Sequence, residues 1–149
     1  MAEVNFYKSG YAAIIGRPNV GKSTLLNQLV SVKIAATSRS PQTTRNKIAG
    51  VCHFNEGQVV LLDTPGIHKA TSKFNKLMVK ASFKTYDDVD VIIFVVDVKK
   101  KFCEDDRYVL KTLQRSKVEK ILALNKIDLV SKDSLLPQIE EVSRFGKFS

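Results

Sequence analysis

A lysine and a serine close a glycine-bounded loop in Gly16-Arg17-Pro18-Asn19-Val20-Gly21-Lys22-Ser23, which fits G-x-x-x-x-G-K-[ST]. Such a loop lets successive backbone N–H groups wrap phosphate oxygens, and a helix that starts there adds its own free N–H groups. Lys22 would bring a positive charge to the β- and γ-phosphates, and the Ser23 hydroxyl would ligate magnesium. Thr24 completes the phosphate-binding set from Gly16 to Thr24. Asp63-Thr64-Pro65-Gly66 follows an apolar run, where a carboxylate without a cation is costly. A magnesium ion, usually through a water, supplies that cation, and the Gly66 N–H can reach a γ-phosphate. Asn125-Lys126-Ile127-Asp128 follows another apolar run. The Asp128 carboxylate only accepts hydrogen bonds. Guanine offers it two adjacent donors and adenine none in that arrangement, and a mismatch of this kind supports strong rejection. The Lys126 stem would cover one face of the base. D-x-x-G alone is an ordinary turn, and N-K-x-D alone can be a solvated one. In this order, each at the end of an expected strand, the three motifs imply a GTP-binding switch.

A further magnesium ligand is expected from the polar loop Ser31 to Arg45, with Thr43 and Thr44 as candidates. A threonine that binds the metal only when the γ-phosphate is present makes an order–disorder switch.

The elements that must position these groups follow from periodicity. Tyr11 to Gly16 reads as a buried strand, and Lys22 to Val30 as a helix with Leu25, Leu26 and Leu29 on one side. Lys47 to Phe54 and Val59 to Asp63 read as antiparallel strands joined at Asn55-Glu56-Gly57. Thr64 to Ser72 is a loop, Lys73 to Tyr86 a helix, and Val91 to Val96 a fully buried strand. Glu104 to Arg115 is a helix, Ile121 to Leu124 a buried strand, and a last helix spans about Ser134 to Val142. The alternation predicts an α/β fold with a mostly parallel sheet, one antiparallel strand and helices on both faces. With a phosphate loop at its first strand–helix turn, it reads as a P-loop NTPase with a Ras-like sheet. Ligands of such sheets sit beyond the carboxyl ends of the strands, where all three motifs lie.

The chain has 149 residues, enough for one domain, and is 44% hydrophobic and 26% charged. No apolar run approaches the roughly 18 residues of a membrane span. Cys52 and Cys103 have no metal-type spacing and suggest free thiols in a reducing cytosol. The net charge of +9 is uneven: no acidic residue lies between Glu3 and Glu56, or between Asp63 and Asp87. Lys73, Lys76, Lys80 and Lys84 recur at helical spacing, and Lys99, Lys100 and Lys101 form a second cluster. Such a field attracts phosphate-rich partners such as RNA or the ribosome, although a lysine stripe can also be a merely solvated face.

The segments GRPNVGKSTLLN, SRSPQTTR, DTPGIHK and NKIDLV resemble the Era family of bacterial GTPases, in the TrmE-Era group. The resemblance implies a cytoplasmic ribosome-assembly GTPase that acts on the small subunit and binds 16S rRNA, with peripheral association at the inner face of the cell membrane as a further expectation. It implies GTP/GDP, Mg²⁺ and K⁺ as ligands. Asn19 matches an asparagine that coordinates potassium in related GTPases, and Thr44 becomes the favoured loop ligand beside Ser23 and Asp63. The catalytic set would be Lys22, Asn19, Thr44 and Gly66. The nucleotide contacts would be Gly16 through Thr24 with Asp63, Gly66, Asn125, Lys126 and Asp128.

Two departures stand out. Ras-type GTPases carry a water-orienting glutamine where this chain has Ile67, which implies slow hydrolysis by another arrangement. Era proteins also continue into a Ser-Ala base motif, a last strand and helix, and an RNA-binding KH domain. Residues 1–149 are therefore expected to be a C-terminally incomplete Era-type G domain without the KH part, leaving the strand at Ile121 to Leu124 as an edge. The rival reading is a nucleotide-binding interaction module that docks on RNA or ribosome without appreciable turnover. An ATPase is a third reading, against which Asp128 argues.

Overall fold

The computed structural model describes residues 7–31, 48–67 and 88–149. The expected helix over Lys73 to Tyr86, its lysine face, and the loop carrying Thr43, Thr44 and Arg45 lie outside the described residues.

Five strands form one sheet: β1 (Lys8–Ile15), β2 (Ile48–Phe54), β3 (Gly57–Asp63), β4 (Val91–Asp97) and β5 (Glu119–Asn125). Their order is β2-β3-β1-β4-β5. The β2–β3 pair is antiparallel across the Asn55-Glu56 turn, and the β1–β3, β1–β4 and β4–β5 pairs are parallel. This is the expected topology, with β5 at an edge. The apolar runs underestimate strand length. β1 begins at Lys8, because backbone pairing with Gly57 and Gln58 extends it past its apolar part.

Side-chain alternation along the strands divides the interior into two cores. Ala12, Ile14, Leu61 and Val95 face helix α1 (Lys22–Val30), whose Leu26 is fully buried among them. Ala13, Ile15, Ile92, Phe94 and Val96 face the opposite way. There they meet Val109, Leu110 and Leu113 of α2 (Glu104–Leu113) and Val142 of α3 (Leu135–Phe145). Helices therefore cover both faces, as the alternation required. On α1 the expected apolar stripe shifts: Leu25 and Val30 pack against the core, whereas Leu29 is 46% exposed. Val30 lies one turn beyond Leu26 on the same face, and takes the place expected for Leu29.

The chain end packs back on the second core. Phe148 stacks on Phe94 with ring centroids 6.2 Å apart, and the Ser149 N–H donates to the Lys120 carbonyl of β5 at 2.9 Å.

Candidate nucleotide site

β1 lies between β3 and β4, so the turn that leaves it has the carboxyl ends of both neighbours beside it. The register places Ile14 opposite Asp63 and Ile15 opposite Phe94. From Gly16 the chain turns and enters α1 at Lys22. Gly21, the residue before the helix, has φ +101°, a conformation that disfavours any side chain, and a Cβ there would run into the Asn125 amide nitrogen. No side chain caps this helix, and its first turn holds no acidic residue. The positive dipole end of the helix therefore suits an anion.

Lys22 is buried at the start of that helix, and its Nζ donates to the Arg17 carbonyl at 3.0 Å. Burial lowers its pKa to about 8, with Asp63 pulling it upward and Arg17 pushing it further down. A cation held at such a cost gains when polyphosphate charge arrives.

Beside it, the Ser23 hydroxyl donates to the Asp63 carboxylate at 2.6 Å, and Asp63 is fully buried. The two expected metal ligands thus meet as adjacent hard oxygen donors, a donor set that suits magnesium when phosphate oxygens and water complete it. Among the described residues there is no group of three or more His, Cys, Asp or Glu that could hold a metal by itself. Thr64 Oγ1 donates to the Ile14 carbonyl at 2.9 Å, and the Ile67 N–H to the Gly16 carbonyl at 3.1 Å. The D-x-x-G turn is thereby tied to β1 and to the phosphate loop. Gly66 fits because its hydrogen faces Pro18: a Cβ would stand 2.8 Å from the Pro18 N and Cα.

The third motif closes on the first. Asn125 Nδ2 donates to the Val20 carbonyl at 2.7 Å, and Asn125 Oδ1 accepts from the Lys126 N–H. Lys126 sits in the left-handed region with φ +63° and donates through Nζ to the Asn19 carbonyl at 2.9 Å and to Asp97 Oδ2 at 2.6 Å. Asn19, also at φ +63°, is exposed at the tip of the loop. Asp128 lies in the short exposed turn Ile127–Leu129, open to solvent.

Sequence reasoning missed two buried carboxylates. Asp97 ends β4, takes the Lys126 ammonium on one oxygen and accepts from the Lys99 N–H on the other. Its signal was present, since it ends an apolar strand just as Asp63 does. Asp106 in α2 accepts from Arg17 Nε on both oxygens at 3.0 Å. A separation of 89 residues leaves no local trace of that pair.

A glycine-bounded phosphate loop, a hydroxyl–carboxylate pair and an N-K-x-D loop hydrogen-bonded to one another match one description. Residues 11–126 fit the family described as 50S ribosome-binding GTPase. The chain belongs to this GTPase family. Similar curated proteins are GTPase Era of Staphylococcus haemolyticus, 45% identical over 96% of this chain and 48% of its own length, and GTPase Era of Halothermothrix orenii, 45% identical over 87% and 44%. The chain thus spans about half the length of these relatives. Among solved structures, Era in complex with MgGDPNP and a segment of 16S ribosomal RNA superposes with a TM-score of 0.87 at 35% identity, over 93% of this chain and 47% of that one. A variant of Aquifex aeolicus Era bound to GDP and aluminium fluoride gives 0.85 at 36%, over 92% and 47%. The G domain of the Methanococcus jannaschii FeoB protein, at 24% identity and TM-score 0.64, shares the fold over 92% of this chain and 80% of its own. In this chain the three motifs converge beyond the carboxyl ends of the strands. No helix among the described residues is long and apolar enough to cross a membrane.

Proposed function

We propose that residues 1–149 are an Era-type G domain that binds GTP, hydrolyses it slowly to GDP and phosphate, and serves as the switch of a ribosome-assembly factor. The observation that carries the nucleotide reading is the pair of bonds from Asn125 Nδ2 to Val20 O and from Lys126 Nζ to Asn19 O. They hold the N-K-x-D loop directly against the phosphate loop, which supports one ligand touching both.

With GTP in place, Lys22 and the loop N–H groups would carry charge on the transferring phosphoryl group. Ser23, Asp63 and Thr44 would hold Mg²⁺, which neutralises phosphate charge when bound. Thr44 and the Gly66 N–H would sense the γ-phosphate, Asn19 would hold K⁺, and Asp128 would read guanine. Ile67 is 1% exposed and apolar, and gives its N–H to Gly16, so its side chain orients no water. That supports slow intrinsic turnover.

The ribosomal part rests on the relatives. The family description names the 50S subunit, but the Era proteins align along nearly the whole chain and one is solved with 16S rRNA. They favour the small subunit and 16S rRNA as partners, in the cytoplasm. Lys99, Lys100 and Lys101 are exposed and available to phosphate-rich RNA. Association with the inner face of the membrane is a further part of the proposal, which flotation with anionic vesicles tests.

Single-turnover hydrolysis of MgGTP, with MgATP as control, tests the main reading. The expected rate is roughly 10⁻⁴ to 10⁻² s⁻¹, as for unaided small GTPases. It should be faster in K⁺ than in Na⁺, and Asn19→Ala should erase that difference. Equal use of ATP would refute the guanine reading, and tight GTP binding without turnover would establish the interaction module instead.

A further inference from the structure

Arg17 carries the phosphate loop's second residue position, yet its side chain turns away from the loop into the protein. It is 7% exposed, and Nε donates to both oxygens of Asp106, which is fully buried. Asp106 is itself fixed. It is the third residue of α2, and its Oδ2 accepts from the Cys103 N–H at 3.1 Å and from Cys103 Sγ at 3.2 Å. The carboxylate that caps α2 is therefore also the anchor of the loop before α1. On its backbone side, Arg17 accepts the Lys22 ammonium. One residue thus joins the buried lysine of the site to the cap of a helix on the opposite face of the sheet.

As a stability device this pair is poor. A buried ion pair gains only when the remaining donors are satisfied, and apolar residues of similar volume often do better. Here Arg17 Nη2 is buried and has no hydrogen-bond partner among the described residues. A donor left unsatisfied at that depth is a standing cost. The geometry is better suited to holding a shape: the single Nε–H, shared between both carboxylate oxygens in a buried setting, ties the loop to one fixed point on α2.

We propose that Asp106 is a positioning residue for the phosphate loop, acting through Arg17 to hold the loop in its nucleotide-binding shape before nucleotide arrives. This rests on the guanine-nucleotide reading of the site. Asp106 touches no nucleotide and works only through Arg17 and the cap at Cys103.

Two measurements test it. One is dissociation of mant-GDP by stopped flow. The other is hydrogen exchange of the Val20, Gly21 and Lys22 amides in nucleotide-free protein, alongside thermal midpoints. Asp106→Asn should speed dissociation about tenfold or more and speed exchange at those amides. The apolar pair Arg17→Met with Asp106→Leu should return the thermal midpoint to near the parent while both speeds stay high. The pair Arg17→Lys with Asp106→Glu, which keeps charge and total reach, should recover slow dissociation in part. If the apolar pair restores slow dissociation and slow exchange with the midpoint, the ion pair is only packing and the proposal falls. If the parent holds no mant-GDP, the guanine reading fails, and amide exchange in the nucleotide-free variants decides on the positioning role.

Discussion

Two helices start at the same end of this sheet, and their first turns are opposites. α1 begins after Gly21 with no side-chain cap and no acidic residue in its first turn. α2 begins after Cys103 with Glu104, Asp105 and Asp106 in its first turn, and Asp106 returns to the Cys103 N–H. Both present a positive dipole end. In α2 the protein satisfies that end with its own carboxylate. In α1 it leaves the end open and buries a lysine beside it, at a cost visible in the lowered Lys22 pKa. The start of α1 thus carries no acidic residue of its own, which suits the polyphosphate ligand proposed for it. The two ends are also connected, because the carboxylate that closes α2 grips Arg17 of the open loop.

Removing the lysine should have the largest effect. Lys22→Met should weaken GTP by about 10²-fold or more, the scale of losing a charged donor to a phosphoryl group. The same change deletes a cation that burial disfavours, so the nucleotide-free protein should lose no stability. Calorimetric titration with GTP and a denaturant melt without it check both halves. A variant that loses stability along with affinity would show Lys22 to be a structural residue first.

The base end comes next. Asp128→Asn should cost GTP on the order of 10²-fold and gain xanthosine triphosphate, whose 2-oxo group suits an amide donor. Asp128 is solvent-exposed, unlike Lys22, so its loss should not disturb folding. Competition of the two nucleotides on the variant and the parent reads the swap directly. Unchanged GTP binding would remove Asp128 from the site.

Much of this contrast was legible in the sequence, for local reasons. The bounds expected for α1 match those observed, because a phosphate loop sets its start and Val30 ends its apolar spacing. Asp63 and the N-K-x-D loop could be placed because each ends an apolar strand, and Ser23 because it closes the glycine-bounded pattern. Strand starts were misjudged at Lys8 and Glu119, where polar residues are held by backbone pairing alone and leave no apolar signal. The helix at the end of the chain runs to Phe145 rather than Val142, since Phe145 packs on Phe102 across a gap of chain no periodicity spans. Arg17 was legible as part of a loop but not as the partner of Asp106. Its partner is a charge among many, chosen by tertiary position. Thr43 and Thr44 lie outside the described residues, so their roles stay with the proposal.

Giving α1 the kind of first turn that α2 has should abolish part of the difference. Thr24 is the third residue of α1 and exposed, as far into its helix as Asp106 is into α2. Thr24→Glu places a negative charge at the dipole's positive end, which should stabilise the nucleotide-free protein by about 0.3–1 kcal/mol. The same charge repels phosphate, and GTP affinity should fall roughly tenfold at low salt and less at high salt, as screening predicts. Thermal melts and GTP titrations at two salt concentrations check this. Unchanged affinity would mean that the helix end contributes little beyond the loop and Lys22.

The smallest effect is a pH dependence, and it separates stability from binding by sign. Lys22 has a folded pKa of about 8, below the ordinary lysine value of 10.5. Between those values the unfolded chain binds more protons at this position than the folded one. The Lys22 contribution to stability therefore rises with pH across that window, from its least favourable value below about pH 8. Binding runs the other way. Phosphate charge raises the lysine pKa in the complex, so below pH 8 the ammonium is already present and affinity is flat. Above pH 8 the site must take up a proton to bind, and affinity should be about three- to fivefold weaker at pH 8.5 than at pH 7. Calorimetry in buffers of different ionisation enthalpy counts that proton, and Lys22→Met removes other titrating groups as the source. The parent taking up no more protons than Lys22→Met at pH 8.5 would show that the buried lysine keeps its charge without the nucleotide.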